Sequence, residues 1–162
     1  MRSDEVQMTS AFLTTVDHVG YTVSDLDQSV AFYSFLLERE PVARKTWDVE
    51  YLGRITGYPG ISVEAAFFEL PGGLTLELVQ YLRPDHALVD METFNVGNAH
   101  LSFFTPDLHG LFQRLKGRAQ MRSDAPVRIE WGPYEGGYAA RVRDPDGITI
   151  ELIQAPPGGV KL

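Results

Sequence analysis

Apolar and polar residues alternate in two stretches of the chain that match each other. Residues 70–80 read LPGGLTLELVQ, and residues 144–154 read DPDGITIELIQ. Alternation with a period of two is typical of a strand that buries one face, so each stretch predicts a half-buried β-strand. The Gly-Gly and Asp-Gly dipeptides before the alternation suit a two-residue hairpin turn, because glycine adopts positive φ at little cost. Each stretch therefore predicts the second arm of a β-hairpin, with a glutamate near the middle of the strand.

The likeness between the two halves continues upstream of the hairpins. Residues 14–37 and residues 98–118 each predict a strand followed by an amphipathic helix. His18 and His100 are 82 residues apart, the same spacing that aligns the Asp-Leu dipeptides at the two helix starts. An internal repeat of this size indicates two copies of one supersecondary module that pack together.

The hydrophobic pattern assigns the same series of elements to both halves. The first half predicts strands at 14–22, 41–52, 61–70 and 74–81, a helix between an N-cap at Ser24 and a stop at Pro41, and a loop at 53–60. The second half predicts strands at 98–104, 127–131, 137–143 and 148–154 and a helix at 107–116. The modules then span residues 11–82 and 97–155, with a polar connector at 83–96 and tails at 1–10 and 156–162. The sequence of the connector is also compatible with a short helix.

Strand alternation also places imidazoles and carboxylates on one face of each sheet. Glu77 points away from the leucines of its strand, and Glu151 points away from Ile148, Ile150 and Leu152. His100 points away from Leu101 and Phe103 of its own strand. The apolar face must be buried against the helix of the module, so the mixed face forms the other side of the sheet. A lone glutamate or histidine in a strand is usually solvated or hydrogen-bonded, but the repetition in both modules favours a site. If the two sheets face each other, these residues and His18 converge on one concave surface.

Two imidazoles and two carboxylates form a donor set that suits a borderline divalent cation such as Zn²⁺, Ni²⁺, Co²⁺, Mn²⁺ or Fe²⁺. Without a cation, two facing carboxylates would repel each other and one would have to protonate. The other two histidines are weaker candidates, because His86 lies in the connector and His109 lies on an exposed helix turn.

Composition narrows the class of protein. The 162 residues carry a formal net charge of −8 and contain no cysteine. The missing thiols exclude disulfides, thiolate catalysis and thiolate metal ligands. The acidic balance argues against nucleic acid and anionic membranes as partners, because phosphate contacts need clustered Lys and Arg. No apolar run reaches the ~20 residues of a membrane span, and the polar start MRSDEVQMTS differs from a secretory signal. We therefore expect a cytoplasmic protein.

Four segments together resemble the vicinal oxygen chelate superfamily, which includes glyoxalase I, methylmalonyl-CoA epimerase, extradiol dioxygenases, fosfomycin-resistance enzymes and bleomycin-binding proteins. The segments are DHVGYTVSDLDQSVAFY, LELVQY, GNAHLSFFTPDL and RDPDGITIELIQ, and the resemblance covers roughly residues 14–155. It implies an α+β fold in which two βαβββ modules form an open half-barrel cup around a metal site. It also implies a homodimer that acts on a small-molecule substrate.

The resemblance places His18, Glu77, His100 and Glu151 at the four metal-ligand positions of this superfamily. Four ligands are typical of glyoxalase I and the epimerases, whereas extradiol dioxygenases and fosfomycin-resistance enzymes use three. The implied activity is a metal-dependent lyase, isomerase or epimerase that removes a proton next to a carbonyl through a metal-bound enediolate, on a thioester or hemithioacetal among other substrates. Glu151 would remove the proton and Glu77 would return it. The implied cation is Ni, Co, Zn or Mn, with Fe less favoured.

Substrate contacts are predicted only from strand parity and loop position. The residues are Tyr138, Trp131, Phe68, Tyr58 and Glu64. Glu64 is included because epimerases carry a second catalytic carboxylate near the position of Gly60, four residues earlier. The chain also lacks a convincing glutathione-binding set. The alternative function on the same scaffold is a small-molecule binding or resistance protein, or an Fe-dependent dioxygenase.

Overall fold

The computed structural model describes residues 13–160, which form two open β-sheets with three helices. The first half contains β1 (His18–Thr22), α1 (Leu26–Leu37), β2 (Ala43–Trp47), α2 (Glu50–Thr56), β3 (Ser62–Glu69) and β4 (Thr75–Arg83). The second half contains β5 (His100–Phe104), α3 (Leu108–Leu115), β6 (Gln120–Met121), β7 (Val127–Arg128), β8 (Tyr138–Arg143) and β9 (Thr149–Gln154). The predicted α+β class is confirmed. None of the described helices is long and apolar enough to cross a membrane.

Both sheets place the strand that carries the histidine beside the strand that carries the glutamate. The first sheet has the order β1-β4-β3-β2, with β1 parallel to β4. The second has the order β5-β9-β8-β6, with β5 parallel to β9 and β7 paired to β8. The two sheets therefore repeat one arrangement, and the first strand of each module is a sheet edge.

The two modules also fix their helices by the same contacts. Asp25 and Asp107 are the N-caps of α1 and α3, and each side chain accepts a hydrogen bond from the N–H three residues later. Gln80 at the end of β4 and Gln154 at the end of β9 each accept from the first helical N–H, at 2.9 and 2.8 Å. The predicted cap at Ser24 is wrong, because the aspartate after it has the extended backbone of a cap and the carboxylate that reaches the helix.

Helix α2 is the main difference from the predicted elements of the first half. The sequence predicts a strand up to residue 52 followed by a loop, but β2 ends at Trp47 and α2 begins three residues later. A seven-residue helix is too short to show a clear period in the sequence, so its apolar residues pass for the end of a strand. Gly57, with φ of 81°, ends this helix.

The second half differs from its prediction in the strands at the sheet edge. β7 covers only two of the five residues expected at 127–131, and β6 is a two-residue strand that was not predicted. The connector contains turns but no helix, and together with the flanking residues it spans 84–99, between the end of β4 and the start of β5. Strands this short carry too few alternating residues for a period to be recognised.

Both hairpins have three-residue loops in place of the predicted two-residue turns. Backbone hydrogen bonds of 2.7 and 3.0 Å close the loops at residues 71–73 and 145–147. Each loop begins with proline, which suits the first position of a turn because its φ is fixed. Gly73 and Gly147 occupy the last position with φ of 89° and 84°, where a third residue in the left-handed region is typical.

The helix-bearing sides of both sheets share one hydrophobic core. Its members come from both modules and include Leu26, Tyr33, Phe68, Leu76, Leu78, Phe112, Leu115, Val142, Ile150 and Leu152. Burying one such side chain contributes about 1.5–3 kcal/mol, so this core supplies much of the stability. The opposite face of each sheet, which carries the histidine and the glutamate, therefore lies on the outside of the paired modules.

The connector is fastened to the second sheet by an arginine. The side chain of Arg143, which is 8% exposed, donates to the carbonyl of Met91 at 3.0 Å and to the carboxylate of Glu92 at 3.1 Å. Arg122 pairs with the same carboxylate at 3.1 Å. The connector thus joins the modules as an ordered strap.

Candidate metal and substrate site

The first half-site is a histidine–glutamate pair on β1 and β4. His18 Nε2 lies 3.3 Å from Glu77 Oε2, and both side chains are partly exposed. The parallel register sets Gly20 opposite Glu77. Because glycine has no Cβ, the Glu77 carboxylate can lie close to the neighbouring strand, where a Cβ on Gly20 would be 3.5 Å from Oε2. His18 Nδ1 lies 2.7 Å from the carboxylate of Asp17, and this hydrogen bond raises the pKa of His18, with smaller contributions from Glu77. In the neutral imidazole, Asp17 holds the proton on Nδ1 and leaves the Nε2 lone pair directed at Glu77.

The second half-site is the equivalent pair on β5 and β9. His100 Nε2 lies 3.7 Å from Glu151 Oε2. Ser102 donates to the same carboxylate oxygen at 2.8 Å, while Arg141 donates from Nε to Oε1 at 3.1 Å and forms an ion pair in which Nη2 lies 3.0 Å from Oε1. Burial would raise the pKa of Glu151, but the bonds from Ser102 and Arg141 and the arginine charge outweigh it and lower that pKa. Glu151 is therefore a fixed carboxylate with one oxygen turned to His100.

These two pairs stay separate within one chain. Among residues 13–160 there is no group of three or more His, Asp or Glu side chains that could hold one metal ion. The expected convergence on one concave surface therefore does not occur inside a single chain. The shared core explains this, because it joins the helix-bearing sides of the sheets and leaves the faces with the histidines and glutamates outside.

Two of the predicted substrate contacts lie on the helix side of the first sheet. Phe68 is fully buried opposite Leu76, and its neighbour Phe67 is the residue opposite Glu77. Glu64 is opposite Gln80, which caps α1, and it pairs with Arg44 at 2.7 Å. The register therefore places both side chains on the face opposite to that of Glu77, because a shift of one residue moves a side chain to the other face of a sheet.

The other three predicted contacts lie on the helix-bearing face of β8 or in loops. Tyr138 is opposite Gln154, on the face of β8 opposite to that of Arg141, and its ring centroid is 4.8 Å from that of His109 in α3. Trp131 and Tyr58 lie in loops and are 87% and 53% exposed. Loop position in the sequence does not determine where a side chain points, so substrate contact by these two residues stays a prediction.

A cavity beside Glu77 is lined mostly by side chains that the sequence did not single out. It has a volume of about 290 Å³, close to the lower end for small-molecule pockets. Its wall is apolar and aromatic, and Glu77 is its single ionisable carboxylate; the remaining lining residues are Trp47, Tyr51, Leu52, Thr56, Ile61, Val63, Phe67, Val79 and Tyr81. Helix α2 contributes one side of this wall. The alternation of β3 and β4 predicted which strands would line it, but the side chains from α2 could not be found without that helix.

The comparisons with known proteins agree with this architecture. A sequence profile described as "Glyoxalase/Bleomycin resistance protein/Dioxygenase superfamily" matches residues 15–152. A 2-epi-5-epi-valiolone epimerase from Actinomyces is 28% identical over 147 residues, which is 88% of this chain and 80% of the epimerase. A probable lactoylglutathione lyase from Vibrio cholerae is 30% identical over 141 residues, which is 85% of this chain and 88% of the lyase.

A solved structure shows the same fold. The crystal structure of a glyoxalase family protein from Bacillus cereus superposes with a TM-score of 0.79, at 22% identity, over 93% of this chain and 99% of that protein. At this identity the likeness concerns the fold alone. The match of the profile to most of the chain, together with the duplicated modules and this fold, shows that the chain belongs to the glyoxalase/bleomycin resistance protein/dioxygenase superfamily.

Proposed function

We propose that the chain is a metal-dependent lyase, isomerase or epimerase that removes a proton from the carbon next to a carbonyl group of a small molecule. The observation that carries this proposal is the histidine–glutamate pair repeated at equivalent positions of the two modules. The distance from the histidine Nε2 to the glutamate Oε2 is 3.3 Å in the His18–Glu77 pair and 3.7 Å in the His100–Glu151 pair. All four side chains are partly exposed. The similarity to a lyase and an epimerase supports the same class of reaction.

The four side chains fit a divalent cation by their chemistry. Each pair offers one imidazole nitrogen and one carboxylate oxygen on an open face, and together they form an N₂O₂ set suited to Ni, Co, Zn or Mn. The contact between Asp17 and His18 Nδ1 is the outer hydrogen bond that metal-binding histidines commonly make. When bound, such a cation polarises a carbonyl oxygen as a Lewis acid and makes the neighbouring C–H more acidic.

We propose that two copies of the chain complete the site. Each copy carries both pairs on outward faces, so the His18–Glu77 pair of one copy can meet the His100–Glu151 pair of the other. A two-fold axis then creates two equivalent sites in a homodimer. The open sheet edges β1 and β5 and four exposed apolar connector residues provide surface for such an interface; these are Leu88, Val89, Phe94 and Val96.

The two carboxylates have separate tasks in this proposal. Glu151 removes the proton that the carbonyl acidifies, and Glu77 returns a proton at the neighbouring carbon or on the opposite face. Ser102 and Arg141 fix the orientation of the Glu151 carboxylate, with Oε2 on the side of His100. The apolar wall beside Glu77 excludes water from the reacting carbon, which strengthens the electrostatic interactions there.

Metal analysis of protein purified without chelators tests the proposal directly. We expect about one Ni, Co, Zn or Mn ion per chain, because a homodimer with two sites has one site per chain. His100→Ala and Glu151→Gln should each lower metal affinity by orders of magnitude while circular dichroism stays unchanged. His109→Ala removes an exposed histidine of α3 whose ring packs against Tyr138; it is the matched control and should retain the metal. Full metal occupancy in both ligand variants would exclude this site.

A small-molecule binding protein is the second candidate, and the aromatic cavity beside Glu77 is the observation that favours it. In that case chelator-treated protein should bind an aromatic ligand as tightly as metal-loaded protein, and metal should bring no turnover. An Fe-dependent dioxygenase would instead consume oxygen on catechols in the iron-loaded form. Calorimetry with and without metal, followed by oxygen-electrode assays, separates these outcomes.

A further inference from the structure

The internal repeat shows where the two half-sites have diverged. Phe67 lies opposite Glu77 in the first sheet, and Arg141 lies opposite Glu151 in the second. Both members of the second pair stand 74 residues after their counterparts, so Phe67 and Arg141 occupy the same position of the repeated module. The equivalent place beside the candidate carboxylate is therefore aromatic in one half and cationic in the other.

Phe67 belongs to a built apolar surface. Its ring packs edge-on against that of Trp47, with centroids 6.0 Å apart, and both rings line the cavity of about 290 Å³ that ends at Glu77. This arrangement suits a ring or a branched hydrocarbon, because aromatic walls gain free energy by removing apolar surface from water. A hydroxylated ligand would leave its hydroxyl groups without partners on most of this wall.

Arg141 has donors left over after its pairing with Glu151. Its Nε donates to Glu151 Oε1 and its Nη2 lies 3.0 Å from the same oxygen, whereas Nη1 makes no hydrogen bond to any residue within 13–160. The side chain is 43% exposed on the face that carries Glu151. A guanidinium with free N–H groups at an open site is suited to a carboxylate or phosphate, which it binds by paired charge-assisted hydrogen bonds.

We propose that Phe67 and Arg141 determine the substrate class of this site: a carbonyl compound with an apolar ring or branched chain on the Glu77 side and an oxyanion group on the Glu151 side. The inference rests on the proposed function, since it needs both half-sites to contact one substrate. The chelating oxygens of the substrate lie between the two ends, at the histidine–glutamate pairs. The oxyanion is a carboxylate or a phosphate, which share the chemistry that a guanidinium recognises.

Four hydroxamates test this inference by calorimetry on the Zn-loaded protein, because all bind a cation through the same two oxygens. Acetohydroxamate is the reference, benzohydroxamate adds a ring, and malonohydroxamate and phosphonoacetohydroxamate add a carboxylate and a phosphonate. We expect the ring and at least one anionic group each to tighten binding by about tenfold or more. The stronger of the two anionic probes identifies which oxyanion the site prefers.

The variants should separate the two preferences. Phe67→Ala should abolish the gain from the ring and keep the gain from the anion, while Arg141→Gln should do the reverse. Arg141→Lys keeps the charge and should keep part of the anion preference. Arg114→Gln, which breaks an exposed pair between α3 and Glu38 at the end of α1, should change neither.

Two results would overturn the inference, and they differ from failure of the metal site. Equal affinity of the parent protein for all four probes, or an anion preference that survives in Arg141→Gln, shows that Arg141 is only a counter-ion to Glu151. A ring preference that survives in Phe67→Ala shows that the cavity is not the subsite. If acetohydroxamate itself fails to bind Zn-loaded protein, the proposed metal site is wrong and the inference is overturned with it.

Discussion

The hydroxyl group of Tyr33 donates a 3.1 Å hydrogen bond to the carboxylate of Asp144, which ties α1 of the first module to the β8–β9 hairpin of the second. Both residues are buried, at 0% and 4% exposure. The other oxygen of Asp144 accepts the backbone N–H groups of Asp146 and Ile148, at 3.0 and 2.8 Å. This one carboxylate therefore shapes the hairpin that leads to Glu151 and joins it to the other half of the molecule.

Tyr33→Phe should destabilise the fold by about 1–3 kcal/mol, because it leaves a buried carboxylate oxygen without its donor. The ring itself stays and keeps its packing on Phe32 and Phe68, so no cavity forms. Urea unfolding followed by fluorescence measures the change. Tyr58→Phe, which removes an exposed hydroxyl group, is the control. Equal stability of the two variants would show that the Tyr33–Asp144 bond adds nothing to the fold.

Asp144 should also make stability depend on pH. Burial raises the pKa of Asp144 from 3.8 to about 6 in the folded protein. A carboxylate whose folded pKa is raised stabilises the fold fully below the unfolded pKa and loses this contribution as pH rises through the folded pKa. The contribution of Asp144 should therefore fall between about pH 4 and pH 7, by on the order of 1–3 kcal/mol.

Asp144→Asn provides the comparison for this pH dependence. Urea unfolding at several pH values gives the stability difference between the parent protein and the variant, and that difference should shift in favour of the variant as pH rises. The comparison cancels the titration of other groups, including Glu151, whose lowered pKa acts in the opposite direction. A difference that stays constant with pH would contradict a raised pKa for Asp144.

Much of the fold could be predicted from the sequence, because the evidence for it is periodic and occurs twice. Apolar and polar residues alternate clearly in the strands around Glu77 and Glu151, and the duplication shows which features both modules share. The side chains that line the cavity beside Glu77 could not be predicted in the same way. Phe67 and Phe68 are adjacent and equally apolar, so only the observed pairing with Glu77 and Leu76 decides which of them faces the site.

The separation of the two half-sites was also beyond the sequence. Parity places a histidine and a glutamate on the same face within each module, but it does not determine how two modules pack. That depends on which surfaces are most apolar, and here the helix-bearing sides form the common core. The buried contact between Tyr33 and Asp144 links positions 111 residues apart, and a single sequence gives no sign of it.

A site shared by two copies predicts complementation between inactive variants. His18→Ala damages the first half-site and His100→Ala the second, so neither homodimer should hold metal tightly. In a mixed dimer one site carries both changes and the other carries neither. Unfolding and refolding an equal mixture should therefore restore about a quarter of the parent metal occupancy, since half of the dimers are mixed and each has one intact site.

The complementation experiment has its own control and its own contrary result. Mixing His100→Ala with Glu151→Gln places both changes in the same half-site, so no intact site can form and occupancy should stay low. If neither mixture recovers metal occupancy, although mass spectrometry shows that mixed dimers have formed, each chain builds its site alone. Sedimentation of the parent protein as a monomer at micromolar concentration, with activity intact, would exclude the dimer as well.

The different surroundings of the two glutamates lead to the last prediction, which separates the base from the ligand. Glu→Gln keeps the size of the side chain and one oxygen donor but removes its basicity. Glu77→Gln should give a metal-loaded protein with reduced but measurable activity, whereas Glu151→Gln, tested in excess metal, should lose about 10²–10⁴-fold in activity, as expected for a missing general base.

Exchange of the α-proton of the substrate with D₂O, followed by NMR, reports proton removal alone and does not need the group that returns the proton. Arg141→Gln is informative in the same assay, because freeing Glu151 from its hydrogen bond and ion pair with Arg141 should make it a stronger base without removing it. If metal-loaded Glu151→Gln exchanges as fast as the parent protein, Glu151 is not the base, and Glu77, which lies at the apolar cavity, takes that role.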